Sequence, residues 1–249
     1  MQLSIVIPVH NEQENIRSLV NEIKSHLEDK IEYELIYVDD GSNDNTFSEL
    51  TALQTEGYAQ LRVLRHNGCF GQSASVLTGI RNARADWIVT LDGDGQNDPV
   101  DILPIYQALL DANKHDPRYQ CAAGYRKKRN DSTSKRWSSL IANNIRARLL
   151  HDDTPDTGCG LKAMQRSAFL ALPFFDHVHR FIPALIKRNG GEVIIVEVNH
   201  RHRTAGTSKY GIANRLWVGI VDLIGVKWLC ARKKNPVCYA ENTENKNEQ

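Results

Sequence analysis

The chain has 249 residues, of which 41% are hydrophobic and 24% are charged, and its formal net charge at pH 7 is +1. These values predict a globular protein with one main domain, and they give no electrostatic reason to expect nucleic-acid binding. Five widely spaced cysteines without a C-x-x-C pair indicate neither a zinc site nor a disulfide framework. The N-terminus lacks the features of a signal peptide, and no apolar run is long enough to predict a transmembrane helix.

The first hundred residues alternate between β-prone and helical segments. Strands are predicted at 3–9, 33–40 and 61–67, and a fourth strand begins the run WIVTLDGDG at 87–95. Apolar residues at helical spacing predict helices at 11–27 and 72–84, the first with Asn11 and Glu14 as a capping box. This order predicts an α/β fold with a mainly parallel central sheet and helices on both faces. Ligands bind such sheets beyond the carboxyl ends of the strands.

The second half of the chain is less regular. Its predicted elements are a strand at 120–126, a basic helix at 132–150, a turn leading into a helix at 156–164, a strand that ends in a basic loop at 192–203 and an apolar helix at 212–229. The sequence therefore divides into a main domain at 1–210, a C-terminal apolar and basic helix at 211–234, and a polar tail at 235–249 that is expected to be disordered.

Three oxygen-bearing side chains alternate in the turn after the fourth strand: Asp92, Asp94 and Gln96. Carboxylates this close repel one another, and Mg²⁺ or Mn²⁺ with substrate phosphate would compensate for the repulsion. An Asx-rich turn that caps the next helix is the alternative interpretation, and it is common for an isolated D-x-D pattern. The strand context, Gln96 and a second acidic cluster favour the metal site.

The second acidic cluster, Asp39 and Asp40, ends the second predicted strand. One carboxylate can accept a hydrogen bond from a base N–H and its neighbour from a ribose hydroxyl, while Gly41 permits close backbone approach. A tight turn capped by Ser42 or Asp44 is the alternative, and the two interpretations are compatible.

Three cations are candidates for binding a diphosphate: Arg126, Arg203 and Lys209. The last two lie in RTAGTSKY, a glycine-containing loop, where Arg would give bidentate contacts and Lys a point charge. A solvated charged surface is the alternative.

Asp156 in PDTGCG is a further acid, with a functional role or a helix or turn cap as its two interpretations. The G-x-G-x-x-G and P-loop fingerprints are absent, which speaks against a nicotinamide dehydrogenase and a P-loop site.

Five motifs occur in the order seen in family 2 glycosyltransferases: SIVIPVHNE, VDDGSNDNT, LDGDGQNDP, DTGCGLKAM and RTAGTSKY. Within that family the chain resembles the dolichol-phosphate mannosyltransferase type of polyprenyl-phosphate sugar synthase, over about residues 1–230. The resemblance implies a GT-A fold and a metal-dependent, inverting transfer of a sugar from a UDP- or GDP-linked donor to polyprenyl phosphate. The implied product serves envelope glycan or lipid modification, and the sugar stays open.

The resemblance also assigns roles to individual positions. Pro8, Val9, Glu12, Asp39, Asp40, Asp92 and Gly93 correspond to nucleotide-binding positions of the family. Asp92, Asp94 and Gln96 correspond to its metal and diphosphate site, with Mg²⁺ or Mn²⁺ as cofactor. Arg126, Arg203 and Lys209 correspond to its phosphate-handling cations, and the implied catalytic residues are Asp94, Asp156 and Arg203. Asp156 lies where an acid near the acceptor has been suggested as a base, and orientation of the acceptor is the alternative.

Many relatives continue into transmembrane helices, whereas none is predicted here. The helix at 212–229, with Trp217, Trp228 and basic residues at 232–234, is predicted to lie on a membrane surface, and a core-packing or dimer helix is the alternative. The expected location is cytoplasmic and peripheral at the inner face of the membrane, with a homo-oligomer left open. A transferase for a soluble glycan or protein acceptor and a non-catalytic nucleotide-sugar sensor are the competing hypotheses.

Overall fold

The computed structural model describes residues 1–126, 146–150, 152–202 and 212–234, with the side chains of 212–217 excluded. Most of the basic helix predicted at 132–150, the loop at 203–211 and the polar tail at 235–249 lie outside the described residues. The end of the predicted basic helix, residues 146–150, is helical.

A seven-stranded sheet forms the centre of the described part of the chain, with strand order β3-β2-β1-β4-β6-β5-β7. The strands are β1 (Leu3–Val9), β2 (Tyr33–Asp39), β3 (Leu61–Arg65), β4 (Trp87–Thr90), β5 (Tyr119–Tyr125), β6 (Lys162–Gln165) and β7 (Glu192–Glu197). All neighbouring pairs are parallel except those of β6, which runs antiparallel to β4 and β5. The predicted α/β fold with a mainly parallel sheet is confirmed.

One prediction for the second half is wrong. The segment 156–164 does not lead directly into a helix, because Lys162–Gln165 forms strand β6 and helical structure begins only at Arg166. This short run fills the gap between β4 and β5, where both neighbouring edges offer backbone partners that outweigh local helix propensity. The segment 192–203, predicted as a strand that ends in a basic loop, forms strand β7 up to Glu197, where its partner β5 ends at Tyr125.

Helices cover both faces of the sheet, as predicted. Helices α1 (Gln13–Leu27), α2 (Thr46–Thr55) and α4 (Ile102–His115) pack on one face, and α3 (Gln72–Asn82), α5 (Arg166–Leu170) and α6 (Ile182–Arg188) pack on the other. The last described helix, α7 (Ile212–Ala231), contacts α6. None of the helices in the described ranges combines the length and apolar character required to cross a lipid bilayer.

The start of α1 differs from the predicted capping box. Asn11 has a positive φ of 54°, and Glu12 occupies the N-cap position without a side-chain cap. The loop after β2 provides the acceptors instead: Thr46 Oγ1 accepts from the Glu12 N–H at 2.8 Å, and Ser42 Oγ accepts from the Asn11 N–H at 2.9 Å. The loops after β1 and β2 are therefore tied together, which a local sequence pattern does not reveal.

Helix α3 approaches β1 so closely that only glycine fits at position 79. A Cβ atom there would overlap Val6 Cγ1, whereas a Cβ atom at Gly225 in α7 would meet no atom within 4 Å. We expect Gly79→Ala to destabilise the fold by about 1–3 kcal/mol through overpacking. The control Gly225→Ala should be neutral or stabilising by about 0.5–1 kcal/mol. Chemical denaturation measures both, and equal stability of the two variants would contradict the close approach.

Candidate functional site

The loops that follow β1, β2 and β4 meet at one edge of the sheet. Because β1 pairs in parallel with both β2 and β4, the carboxyl ends of the three strands lie side by side, where α/β sheets bind ligands. The antiparallel strand β6 begins at this same edge, since Lys162 pairs with Thr90. Residues 199–202 reach it after β7, where His200 forms a bridge with Asn97.

Asp39 has one carboxylate oxygen without a hydrogen bond at this edge. Its side chain is fully buried, and its Oδ1 accepts from the Ser42 N–H at 3.0 Å. Its Oδ2 lies 3.1 Å from Arg65 Nε but makes no hydrogen bond within the described part of the chain. An open cavity of about 710 Å³ lies nearby and is lined by His10, Ser42, Arg65 and His66, among others. This volume is in the range of small-molecule sites.

Asp40 has a different environment, because its own chain already occupies both carboxylate oxygens. Oδ1 accepts from His66 Nδ1 at 2.7 Å and from the Phe70 N–H at 2.9 Å. Oδ2 accepts from the Gly71 N–H at 2.7 Å and from Cys69 Sγ at 3.4 Å. Burial alone would raise the pKa of Asp40, but these hydrogen bonds lower it overall. In the structure Asp40 therefore holds the loop at 66–71 against β2.

Asp92 and Asp94 follow β4 and are close enough to influence each other. Burial, with the charge of Asp94 added, raises the pKa of Asp92 to about 6, although Lys162 and Arg126 oppose the shift. Gln72 Nε2 donates to Asp92 Oδ1 at 2.8 Å. Two carboxylates that disfavour each other's charge form a site that a divalent cation stabilises.

The turn after β4 also has the Asx geometry that was the alternative interpretation. The Gln96 N–H donates to Asp94 Oδ1 at 3.1 Å, and the Val100 N–H donates to Asp98 Oδ1 at 3.1 Å. Within the described residues, no group of three His, Cys, Asp or Glu side chains is arranged to hold a metal ion by itself. A metal at Asp92 and Asp94 would therefore need other oxygen ligands, such as the Gln96 side chain and substrate phosphate.

Glycine in the turn before β6 makes room for Asp92. A Cβ atom at Gly160 would overlap the Asp92 carboxyl group. The Gly160 carbonyl is also held in place, because it accepts from Thr90 Oγ1 at 2.8 Å. The DTGCG motif, predicted as a functional turn, thus forms one wall of the space that Asp92 occupies.

A small cavity of about 160 Å³ lies beside Asp92. Two of the polar residues that line it, Lys162 and His179, belong to no predicted site. The Lys162 ammonium is buried and donates to the Cys159 carbonyl. His179 Nδ1 and Ser73 Oγ form a hydrogen bond of 2.7 Å. Burial, reinforced by neighbouring positive charge, lowers the pKa of His179 well below 6.5, so its ring is neutral near pH 7. Only the strand assignment of Lys162 could have indicated this placement.

Arg126 and Asp156, predicted separately as a phosphate-binding cation and as an acid near the acceptor, form a buried ion pair. Arg126 Nε donates to Asp156 Oδ2 at 2.6 Å, and Nη2 donates to Oδ1 at 2.9 Å. Burial opposes the charge of Arg126, but the hydrogen bonds and the charge of Asp156 raise its pKa overall. The bidentate geometry fixes the plane of the guanidinium group.

Four other predicted nucleotide-binding positions line or border this edge. Pro8 lines the small cavity beside Asp92. Gly93 lies against β1, where a Cβ atom would overlap Val9 Cγ1. Glu12 Oε2 accepts from Asn15 Nδ2 at 2.7 Å within α1. The structure thus brings the strand-end positions together, while their contacts with a nucleotide stay predictions.

Arg203 and Lys209 lie outside the described residues. The chain just before them is anchored beside the turn after β4, because the Arg201 N–H donates to the Gln96 carbonyl at 3.0 Å. Arg201 Nη2 also donates to Asp98 Oδ1 at 2.6 Å. The last described residues before both predicted cations therefore lie beside the candidate metal site.

The close contact between Gly160 and Asp92 generates a prediction. We expect Gly160→Ala to displace the Asp92 carboxyl group and to weaken Mn²⁺ binding about 10-fold or more, because ligands must stay within a fraction of an ångström of their productive geometry. Isothermal titration calorimetry with Mn²⁺ and a nucleoside diphosphate measures the effect. Wild-type affinity in a folded Gly160→Ala variant would show that Asp92 does not need this space.

Comparisons with known proteins agree with the fold and the motifs. The model of the family "Glycosyl transferase family 2" matches residues 4–172 of the chain. A dodecaprenyl-phosphate galacturonate synthase from Rhizobium johnstonii is 34% identical over 241 residues, which cover 95% of this chain and 69% of that protein. An undecaprenyl-phosphate 4-deoxy-4-formamido-L-arabinose transferase from Pseudomonas fluorescens is 34% identical over 224 residues, which cover 89% of this chain and 63% of that protein. The chain therefore spans 63% to 69% of these relatives' length.

Two solved structures share the fold at low sequence identity. Glucosyl-3-phosphoglycerate synthase from Mycobacterium tuberculosis, in complex with Mg²⁺ and uridine diphosphate, has a TM-score of 0.66 and 18% identity, covering 90% of this chain and 79% of that one. Mannosyltransferase PcManGT from Pyrobaculum calidifontis, in complex with GDP-Man and Mn²⁺, has a TM-score of 0.66 and 17% identity, covering 95% and 66%. These similarities establish the GT-A type fold. Because the family match spans most of the sheet and its strand-end loops, the chain belongs to glycosyl transferase family 2 and is a glycosyltransferase.

Proposed function

We propose that this enzyme transfers a sugar from a UDP- or GDP-linked donor to a polyprenyl phosphate, with inversion at the anomeric carbon and with Mg²⁺ or Mn²⁺ as cofactor. The observation that carries the proposal is the carboxylate pair Asp92 and Asp94 within electrostatic reach of the partly buried Arg126. Such carboxylates suit a metal-bound diphosphate, and arginine suits phosphate. The relatives at 34% identity, whose names specify dodecaprenyl and undecaprenyl phosphate, support the lipid acceptor.

The nucleoside half of the donor is proposed to bind on the β1–β2 side of the cleft. Asp39 Oδ2 is a buried acceptor without a hydrogen bond in the described residues, and a base N–H would satisfy it. Uracil and guanine both carry such an N–H, so this atom is compatible with either nucleotide. Because Asp40 is engaged by its own loop, we assign it the role of shaping this side of the site.

The diphosphate half is proposed to lie over the turn after β4. Asp92, Asp94 and Gln96 would hold the metal ion, which neutralises charge on the leaving diphosphate when it is bound. The residues around them prepare the site, since Gln72 orients Asp92 and Gly160 leaves it room.

The acceptor phosphate needs little activation. The second pKa of a phosphate monoester is about 6, so the nucleophile is already ionised near neutral pH. Its oxygen attacks the anomeric carbon from the face opposite the diphosphate, and the bond to the diphosphate breaks with the electron pair leaving on that group. Arg126, together with Arg203 and Lys209, is proposed to stabilise the phosphate charges during this exchange.

A lipid acceptor requires that the active site reach a bilayer, and α7 offers a surface for this contact. One side of α7 packs on the body, where Val226 is buried and His177 Nδ1 donates to Asp222 at 2.9 Å. The opposite side exposes four apolar residues: Ile220, Val221, Ile224 and Trp228. Lys227 and the basic residues at 232–234 flank this face. An apolar face with flanking cations suits an anionic lipid surface, and we propose peripheral membrane contact there.

The reaction is tested with a panel of UDP- and GDP-sugars, incubated with the full chain, Mn²⁺ or Mg²⁺, and a short-chain polyprenyl phosphate. Nucleoside diphosphate and lipid-linked sugar are measured together, and equal amounts of both from one donor support the proposal. Diphosphate release that requires a soluble glycan or protein acceptor, without lipid-linked sugar, would overturn the lipid acceptor. Binding without turnover would favour the nucleotide-sugar sensor.

The metal site is tested with Asp94→Asn. We expect metal-dependent turnover to fall about 100-fold or more, since the variant removes a charged ligand from the diphosphate site. The matched control is Asp111→Asn, an exposed carboxylate whose partner Lys114 is also exposed. Wild-type turnover and Mn²⁺ dependence in Asp94→Asn would refute the assignment.

Membrane contact is tested by sedimentation with vesicles that contain phosphatidylglycerol. The double variant Ile224→Gln and Trp228→Gln removes two large apolar side chains from the exposed face of α7. Each buried apolar side chain contributes about 1.5–3 kcal/mol, so vesicle affinity should fall more than about 10-fold. Val100→Gln, at an exposed valine elsewhere on the chain, is the control. If vesicle affinity falls equally in the double variant and in Val100→Gln, or falls in neither, α7 is excluded as the contact surface.

A further inference from the structure

The pairing of Arg126 with Asp156 gives the acidic residue a role other than proton transfer. We propose that Asp156 is a positioning residue, which holds the Arg126 guanidinium group in the orientation that binds a phosphate, and that it does not act as a base toward the acceptor. This inference rests on the proposed function, because it concerns the phosphate groups of that reaction.

The geometry of the pair carries the inference. Both Asp156 oxygens accept from the guanidinium group, at 2.6 Å from Nε and 2.9 Å from Nη2. The backbone N–H of Arg126 adds a third, longer contact at 3.4 Å. The carboxylate is only 3% exposed. An ionised arginine bound to both oxygens favours the charged carboxylate, which makes the group a poor proton acceptor.

The arginine, in contrast, keeps donors for a ligand. A guanidinium group has five N–H donors, and the pair with Asp156 uses two of them. The turn at 158–160 borders both this guanidinium group and the metal-site carboxylate, because Gly160 lies against Asp92. Gly158 borders the guanidinium group, with its hypothetical Cβ 3.3 Å from Nη2. Arg126 is thus held by Asp156 beside the turn that also borders Asp92.

The loop that contains Asp156 is itself anchored, which a positioning role requires. Arg146 donates to the Asp152 carboxylate and to the Thr154 carbonyl, and all three residues are buried. A second buried arginine–aspartate pair therefore lies four residues before Asp156 on the same loop. Supporting contacts of this kind hold a binding group within the narrow limits that phosphate recognition needs.

The chemistry of the acceptor leaves no proton for Asp156 to remove. A phosphate monoester is largely ionised at pH 7, so attack by its oxygen releases no proton. General-base catalysis contributes typically about 10²–10⁴-fold where a proton is transferred. Here that contribution has no substrate proton to act on, whereas an oriented arginine stabilises phosphate charge throughout the reaction.

The first test separates binding from chemistry with Asp156→Asn. We expect the Kd for nucleoside diphosphate with Mn²⁺, or the KM for short-chain polyprenyl phosphate, to rise about 10-fold or more. A rise in the first identifies the donor diphosphate as the Arg126 ligand, and a rise in the second identifies the acceptor phosphate. Unchanged values of both with a kcat reduced by about 10²–10⁴-fold would overturn the proposal in favour of a base.

The second test is a double-mutant cycle with Arg126→Gln. If Asp156 acts through Arg126, adding Asp156→Asn to Arg126→Gln changes kcat/KM by less than about 2-fold, because the arginine is already absent. A further fall of about 10²-fold or more would show that Asp156 has its own chemical role. The double variant removes both charges together, so it covers the case in which Asp156→Asn alone leaves a buried unpaired arginine and does not fold.

The matched control is Asp153→Asn on the same loop. Asp153 is exposed, pairs with Lys187 at 3.1 Å and has a positive φ of 51°, which asparagine tolerates. Its kinetic constants should equal those of the wild type.

Rescue by Asp156→Glu, which restores an acceptor for Arg126, should recover part of the lost phosphate affinity. If the whole panel of donors gives no turnover, the proposed function fails, while the nucleoside diphosphate Kd still reports on the arginine.

Discussion

The two carboxylates after β4, Asp92 and Asp94, repel each other, and the rest of the site must offset this repulsion. Asp92 is half-buried next to Asp94, and both its loss of hydration and the neighbouring charge disfavour its ionised form. Distant parts of the chain offset this: Gln72 donates from α3, Lys162 contributes positive charge from β6, and Gly160 leaves space in the turn between. These groups are far apart in sequence, and the two from the second half of the chain, Lys162 and Gly160, reach Asp92 because the sheet places β6 directly beside β4. The sheet order therefore helps to stabilise the acidic turn, because it brings the positive charge of Lys162 and the space at Gly160 next to Asp92.

The first half of this arrangement could be predicted from the sequence, for local reasons. β1 and β2 are apolar over nearly their whole length because both faces are buried, and such runs between amphipathic helices identify a parallel sheet. Strand ends then place Asp39, Asp92 and Asp94 at one edge without any knowledge of tertiary contacts. The cation Arg126 could also be placed, since it directly follows β5.

The remaining features depend on partners that the sequence does not specify. β6 is a strand because two neighbouring edges need a partner, although its four residues carry no strong strand pattern. Asp40 and Asp156 could be recognised as important acids, but their donors come from the loop at 66–71 and from Arg126, at separations of about thirty residues. A local pattern can mark a carboxylate, whereas only the folded chain shows which of its oxygens remain available to a ligand.

The antiparallel insertion of β6 has a consequence for synthesis of the chain. β4 is closed on its outer side only by residues 162–165, and Thr90 bonds to Gly160, 70 positions later. In a nascent chain that has emerged only through β5, β4 is therefore the outer strand of the β3-β2-β1-β4 sheet, and such unpaired edges are templates for wrong pairing. At that stage Asp92 also lacks the wall of the turn before β6. A fragment of this length would hold most of the recognisable motifs. On the ribosome, however, it would expose an unpaired edge of β4 and would be prone to aggregation until β6 is synthesised and pairs with it.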